Sequence, residues 1–297
     1  MNPAPGVRLL ATGSIALDSL EGPVGSVSGE LGGSALYFAL AASLVGPVEI
    51  VAPVGADAIA AVRAILADRP VDFSRVSILD RPTYRWSARQ ESGTNVDLGS
   101  RESIYDGWEP DLPADFDGWA FAGSMRPDRQ LAAVRHLRAS SRLLAGDSMR
   151  SYLSSHRSEA EGVLEACNWF FASREELSAL GGDPDRPQRF RERWRLQGLT
   201  VKAGSEGCTV WTAAGSCHLG ALSGHPVVDV TGAGDALAGG MLAAWAESGG
   251  DPGELRRALA HGIACASLAI STVGLGGLAA ATPADLAERV AAVLGPS

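Results

Sequence analysis

The chain has 297 residues, enough for one large α/β domain or two modest ones around a real core. Hydrophobic residues make up 46% and charged residues 20%, which is ordinary for a globular protein, and a net charge of -9 argues against a nucleic acid or an anionic membrane as partner. Lysine occurs once, as Lys202, among 25 basic residues, so no Walker-type phosphate loop with its Gly-Lys pair exists here.

Val7–Thr12 reads as a first buried strand, Gly33–Val45 as a helix that is apolar nearly all round, and Val48–Pro53 as another strand. Asp57–Ala67 has an amphipathic helical pattern and Val71–Leu79 reads as a strand. This alternation predicts a parallel sheet sandwiched by helices. The rhythm then changes. Thr83–Gln90 and Thr94–Ile104 alternate polar and apolar residues around Glu91-Ser92-Gly93, the pattern of a hairpin with one wet face. With the turn-rich Ser19–Glu30 it predicts a small sheet projecting as a lid. Further strands follow at Gly118–Gly123, Arg142–Gly146, Trp169–Ala172 and Leu199–Lys202, separated by helical patterns. The run of Arg186, Arg189, Arg191, Arg193 and Arg195 sits on one such pattern and reads as a solvated face. Cys208–Ala213 and Ser216–Leu219 flank Ala214-Gly215 as an antiparallel hairpin near a sheet edge, and helices are expected at Ala233–Glu247, Glu254–Thr272 and Pro283–Leu294. With no internal repeat and no long linker, the expectation is one α/β domain over residues 1–297, its lid built from about residues 14–31 and 81–106.

Cys167, Cys208, Cys217 and Cys265 show no metal-like spacing and read as reduced thiols of a cytosolic protein. The N-terminal MNPAPGVRLL lacks an apolar signal core, so a cytoplasmic location is expected. The uncharged stretch from Ala258 to Ala281 imitates a membrane span. Its small residues, His261 and the glycines at 274, 276 and 277 fit a helix buried in a globular protein better.

The chemistry concentrates in VVDVTGAGDAL, residues 227–237, where an apolar run turns into an alanine-rich helix. A dinucleotide-binding turn fits poorly, because Leu237 stands where Gly or Ala is wanted and Asp235 would face a pyrophosphate. A purely structural turn, with Asp235 favoured by the helix dipole, is one alternative. The other is a phosphoryl-transfer site. Free N–H groups of Gly232, Ala233 and Gly234 would stabilise a migrating phosphoryl group without a lysine. Asp235 would orient an acceptor hydroxyl and take its proton. Such a site needs an alcohol beside Asp235. Asp18, after the first strand, and Gly32-Gly33, before the first helix, lie where an open α/β sheet binds ligands. A capping or turn role for Asp18 alone is equally open.

This constellation resembles the ribokinase, or PfkB, family of carbohydrate and nucleoside kinases over essentially the whole chain. DVTGAGDALAGG is similar to its C-terminal signature, and GSIALD with ELGGSALYFALAASLVG to its N-terminal substrate segment. The resemblance implies a ribokinase-like three-layer α/β/α sandwich with a mostly parallel central sheet and a small β-sheet lid. It implies a cytoplasmic, ATP- and Mg²⁺-dependent kinase for a hydroxyl of a sugar, nucleoside or similar small polyol. It makes Asp235 the catalytic base, Gly232, Ala233 and Gly234 the anion hole, and Asp18, Gly32 and Gly33 the holders of substrate hydroxyls. Ser173 stands where the family usually has asparagine, with Glu176 expected to organise the water shell of Mg²⁺. Lys202, Gly204 and Gly207 match the strand and loop that flank ATP, and His261 a position near adenine. Asp229 and Thr231 resemble ligands of the monovalent cation, usually K⁺. Tyr37 replaces the usual asparagine of the substrate segment and offers bulk and one hydroxyl instead of an amide. The lid strand Thr83–Arg89 brings aromatic and guanidinium groups, either to stack on a ring or clamp an anion, or to form a homodimer through the lid. A non-catalytic small-molecule binder that kept the fold is the remaining alternative.

Overall fold

The computed structural model describes residues 7–22, 25–91 and 94–295; the turn expected at Glu91-Ser92-Gly93 lies partly outside the described residues. Successive side chains of a strand point to opposite faces, and this alternation builds two cores. Leu9 and Ala11 of the first strand join one core and Leu10 the other. Trp119 and Phe121 likewise face one side, and Ala120 and Ala122 the other. One core is covered by Ser34–Ala42, Ala233–Glu247 and Leu255–Ala269, and the other by Pro127–Leu137 and Arg157–Ala166.

The sheet between these layers has nine strands. Their order is Gly215–Leu219, Cys208–Thr212, Gly198–Lys202, Trp169–Ser173, Leu143–Gly146, Trp119–Ala122, Leu9–Thr12, Val48–Val51 and Val71–Asp72. The last seven run parallel, and the first two form the expected antiparallel hairpin at one edge. The stretch Val71–Leu79 is not one strand. Val71–Asp72 closes the large sheet, whereas Ser77–Leu79 pairs with Pro53–Gly55 in a separate two-stranded ribbon. The chain bends between them through Asp72, whose side chain accepts from the Ser74 amide at 2.9 Å.

A four-stranded sheet stands apart, in the order Gly25–Gly32, Ala16–Gly22, Tyr84–Glu91 and Thr94–Arg101. Its root is fixed by Asp57, which accepts from the Thr83 amide at 3.0 Å, the Thr83 hydroxyl at 2.6 Å and Arg85 at 3.0 Å. No described helix is long and apolar enough to cross a membrane. The uncharged stretch 258–281 instead spans two separate helices, Leu255–Ala269 and Gly276–Ala280.

Helix Ala233–Glu247 positions the site, and both of its ends are pinned. Near its C-terminus the Trp245 ring lies 4.9 Å from the rings of both Trp119 and Trp169, edge to face. At mid-helix Gly239 lets the backbone touch helix Ser34–Ala42: a Cβ there would come within 2.3 Å of the Phe38 carbonyl oxygen. Gly239→Ala should therefore push two buried helices apart and cost about 1–3 kcal/mol. In urea unfolding the midpoint should fall with the slope unchanged. An unaltered midpoint would show that the close approach carries no stability.

Candidate active site

Five parallel strands end at one edge of the large sheet, and the segments that follow them converge there. Ser14, Ser124, Asp147, Glu176 and Lys202 come from the ends of five different strands and line one cavity of about 210 Å³. Asp18, Tyr84, Trp86 and Asn95 of the four-stranded sheet form its other side. The turn Val230–Asp235 closes it.

That turn forms for local reasons. Asp229 accepts from the Thr231 amide at 2.9 Å and from the Gly274 amide at 3.2 Å, which ties the loop to the far end of the next helix. Gly232 then adopts φ +71°, a left-handed conformation that favours glycine. The ring of Tyr37 lies directly beneath it, so close that a Cβ on Gly232 would sit 2.2 Å from a ring carbon. The first i→i−4 bond of the helix runs from the Ala236 amide to the Gly232 carbonyl at 2.9 Å. The amides of Gly234 and Asp235 therefore lie ahead of the hydrogen-bond ladder. Lys202 Nζ rests against this end of the helix, 2.7 Å from where a Gly234 Cβ would be and 3.8 Å from Glu176 Oε2.

Four carboxyl groups, from Asp18, Asp147, Glu176 and Asp235, share the cavity with that single ammonium. Burial raises the Asp235 pKa to about 6 against the opposing pull of Lys202. Burial and the neighbouring Asp235 push Asp147 well above the usual carboxylate range. The hydrogen bond between these two side chains raises Asp147 and lowers Asp235. The two carboxyls titrate as one pair, with burial and the nearby charge of Asp235 holding Asp147 up. Asp18 is pushed up to about 8, chiefly by burial and then by the charges of Asp229 and Asp235. Burial alone would lower Lys202, but Glu176, Asp147 and Asp235 hold its ammonium above its ordinary pKa.

Buried polar atoms without partners gather here. Asp18 Oδ1, Tyr37 OH, Trp86 Nε1, Asn95 Oδ1, Ser124 Oγ, Asp147 Oδ1, Ser148 Oγ and Asp235 Oδ1 all belong to residues that line the cavity. Unmet polar groups are costly in a finished core. Their concentration around one cavity is what a site built for a hydroxyl-bearing ligand requires.

The residues singled out in the sequence divide into two sets. Asp18, Gly33, Tyr37, Glu176, Lys202, Thr231, Gly232, Gly234 and Asp235 line the cavity. Gly32 supports it, because a Cβ there would collide with Asp18 Oδ2 at 2.2 Å, and Ala233 is the first residue of the helix, its amide not free as expected but donating to the Val230 carbonyl at 3.4 Å. The others lie outside. Ser173 Oγ accepts from the Glu176 amide and Glu176 Oε2 from the Ser173 amide, a reciprocal cap on helix Arg174–Ala179. Gly207 adopts φ +99° and touches the Leu219 carbonyl, while Gly204 faces open space. His261 donates through Nδ1 to the Arg257 carbonyl within its own helix at 2.9 Å. Asp229 sits behind Thr231, whose hydroxyl accepts from Asn95 Nδ2 at 2.9 Å. Sequence reasoning missed Asp147, Ser148, Ser124, Met125 and Tyr152. Asp147 had a signal, since it directly follows a buried strand at the carboxyl edge, as Asp18 nearly does.

Known proteins share this architecture. A family model described as pfkB family carbohydrate kinase matches residues 11–281. An ATP-dependent ribose-1-phosphate kinase from Halopiger xanaduensis is 34% identical over 178 residues, 58% of this chain and 52% of that protein. The chain therefore matches about half the length of this curated relative. By fold the chain is similar to the nucleoside kinase of Methanocaldococcus jannaschii, with a TM-score of 0.77, 19% identity and coverage of 97% of this chain and 99% of that one. Aminoimidazole riboside kinase from Salmonella enterica, complexed with aminoimidazole riboside and an ATP analogue, gives 0.76 at 21% identity, covering 96% and 100%. A fructokinase double mutant from Vibrio cholerae O395, with fructose, ADP and potassium bound, gives 0.76 at 19%, covering 97% and 100%. The expected three-layer fold is thus the fold these structures share, and the family match spans nearly all of the sheet and helices described above. The chain belongs to the PfkB family of carbohydrate kinases.

Proposed function

We propose that the chain is an ATP-dependent kinase that transfers the γ-phosphoryl group to a hydroxyl of a sugar or similar small polyol. One observation carries this reading: a half-buried Asp235, its Oδ1 buried and without a partner, lies in the same cavity as the Gly234 amide and the chain's one lysine. A turn needed for structure alone gains nothing from that arrangement. The amides of Gly234 and Asp235, with Gly232 and Ala233 shaping the turn, form the anion hole for the migrating group. Lys202 adds a positive charge at the same end. Asp235 orients the acceptor hydroxyl and receives its proton, while Asp147 holds the base by its shared hydrogen bond. Asp18, with Gly32 and Gly33 allowing close approach, takes the remaining hydroxyls, and Tyr37 backs the turn.

ATP extends from this turn along Ser173, Lys202, Gly204 and Gly207 toward His261. No cluster of three or more His, Cys, Asp or Glu suited to a metal occurs among the described residues. Glu176, whose carboxylate lines the cavity beside Lys202, would organise the water shell of a Mg²⁺ held by nucleotide phosphates. Bound there, Mg²⁺ neutralises phosphate charge. A K⁺ ion would be held by Asp229 and Thr231, whose loop the Gly274 contact already fixes. The four-stranded sheet is the lid that excludes water as a competing acceptor.

Three outcomes follow from these roles. Asp235→Asn should lower kcat by about 10²–10⁴ while ATP affinity stays within a factor of about two. Turnover at the wild-type rate would remove the base assignment. The base must be ionised to work, so kcat/KM should fall as pH drops through about 6; a profile flat between pH 5 and 8 would contradict this. Asp18 has its folded pKa raised to about 8 from 3.8, so its ionisation opposes folding as pH rises through that window. Asp18→Asn should therefore melt above the wild type at pH 9, with the gap shrinking toward pH 4. A gap that does not depend on pH would show that Asp18 ionises without penalty.

A further inference from the structure

One residue that no motif marks joins the four-stranded sheet to the phosphoryl-transfer turn. Resting on the kinase reading above, we propose that Asn95 is a positioning residue: one end of its amide takes a hydroxyl of the acceptor while the other holds the turn, so that an alcohol in the cavity tightens the lid's grip on the anion hole.

Asn95 lies on Thr94–Arg101, an edge strand of the lid. Its Nδ2 donates to Thr231 Oγ1 at 2.9 Å, across 136 residues of sequence. Thr231 is buried and directly precedes the left-handed Gly232. The Thr231 amide donates to Asp229 Oδ1 at 2.9 Å, and the Gly274 amide donates to Asp229 Oδ2 at 3.2 Å. Asp229 thus clamps two segments together, and both edges of the lid rest on them. Asn95 holds Thr231 from one edge. From the other, the Leu31 carbonyl and Glu30 Oε2 lie 3.6 Å and 3.7 Å from where a Gly274 Cβ would be. With its amide and its hydroxyl both held, Thr231 fixes the entry to Gly232 and hence the aim of the amides that follow.

The other end of the Asn95 amide is unused. Asn95 Oδ1 is buried without a partner, and Asn95 lines the same cavity as Asp18 and Asp235. A bare buried acceptor is costly, and a ligand hydroxyl donating to it removes that cost only while Asn95 stays at Thr231. An occupied cavity therefore favours the docked lid by that difference. With the lid ajar, water takes the alcohol's place. Its oxygen bonds to the γ-phosphorus, the bond from that phosphorus to the bridging oxygen breaks, ADP leaves with the electron pair, and a water proton passes to Asp235. Asn95 thereby sets how ATP divides between alcohol and water.

Two measurements test this. Without nucleotide, hydrogen–deuterium exchange of the full chain is followed in peptides covering residues 228–236. Asn95→Ala and Thr231→Val should each speed exchange there about threefold to tenfold, as one lost hydrogen bond would, and the double variant should go no further. Ser28→Ala, which removes a hydroxyl pair within the lid, should leave the turn unchanged. A turn that ignores Asn95→Ala, or responds as strongly to Ser28→Ala, overturns the proposal. With ATP and Mg²⁺, transfer to D-ribose, D-fructose and inosine is then measured beside phosphate released to water. For the acceptor used best, Asn95→Ala should raise its KM about tenfold, leave the KM for ATP within a factor of about two, and raise the share of ATP lost to water at least about threefold. Acceptor and ATP KM moving together, or neither moving, reduces Asn95 to a structural tie and overturns the acceptor contact. Wild-type protein that transfers phosphate to none of the three loses the kinase reading, and the exchange result, obtained without ATP, then decides the hold on the turn by itself.

Discussion

The site depends on one electrostatic arrangement: a single lysine at the N-terminus of helix Ala233–Glu247, facing four carboxyl groups in a shared cavity. Taken alone, the acids repel one another and lose hydration, which is why burial pushes Asp18, Asp147 and Asp235 upward. Lys202 and the helix dipole offset part of that cost. Placing the ammonium against Gly234 makes one corner of the cavity attractive to an anion while the remainder stays acidic. Eight unpartnered buried polar atoms lie around this cavity, where ligand groups would complete their hydrogen bonds.

The fold exists to hold that corner still. Trp245 locks one end of the helix between Trp119 and Trp169, and Gly239 seats its middle on helix Ser34–Ala42. Tyr37, from that same helix, lies under Gly232. That residue thus contributes a ring that supports the turn. The four-stranded sheet is anchored at Asp57 and reaches the turn again through Asn95 and Thr231, so the cavity's upper side is tied to its lower side at two points.

Much of this was legible in the sequence because it is written locally. Strand and helix periodicity gave the sandwich. The Gly232-Ala233-Gly234-Asp235 turn announced itself by glycines beside a bare carboxylate, and helices 233–247 and 283–294 keep their expected bounds. Residues whose role depends on distant partners were not legible. Tyr152 and Met125 come from unmarked segments that only the topology brings to the cavity. The sequence did not show that the Ser173 side chain caps a helix together with Glu176. Val71–Leu79 looked like one apolar strand because composition does not reveal the bend at Asp72 that sends its halves to different sheets.

The central claim is that the lysine-bearing corner receives the terminal phosphate of the nucleotide. A crystal structure with a non-hydrolysable ATP analogue tests it most directly. The account predicts the γ-phosphate within hydrogen-bond distance of the Gly234 and Asp235 amides, with Lys202 Nζ turned onto it. A terminal phosphate bound away from that helix end, with Lys202 still directed at Glu176, would contradict it.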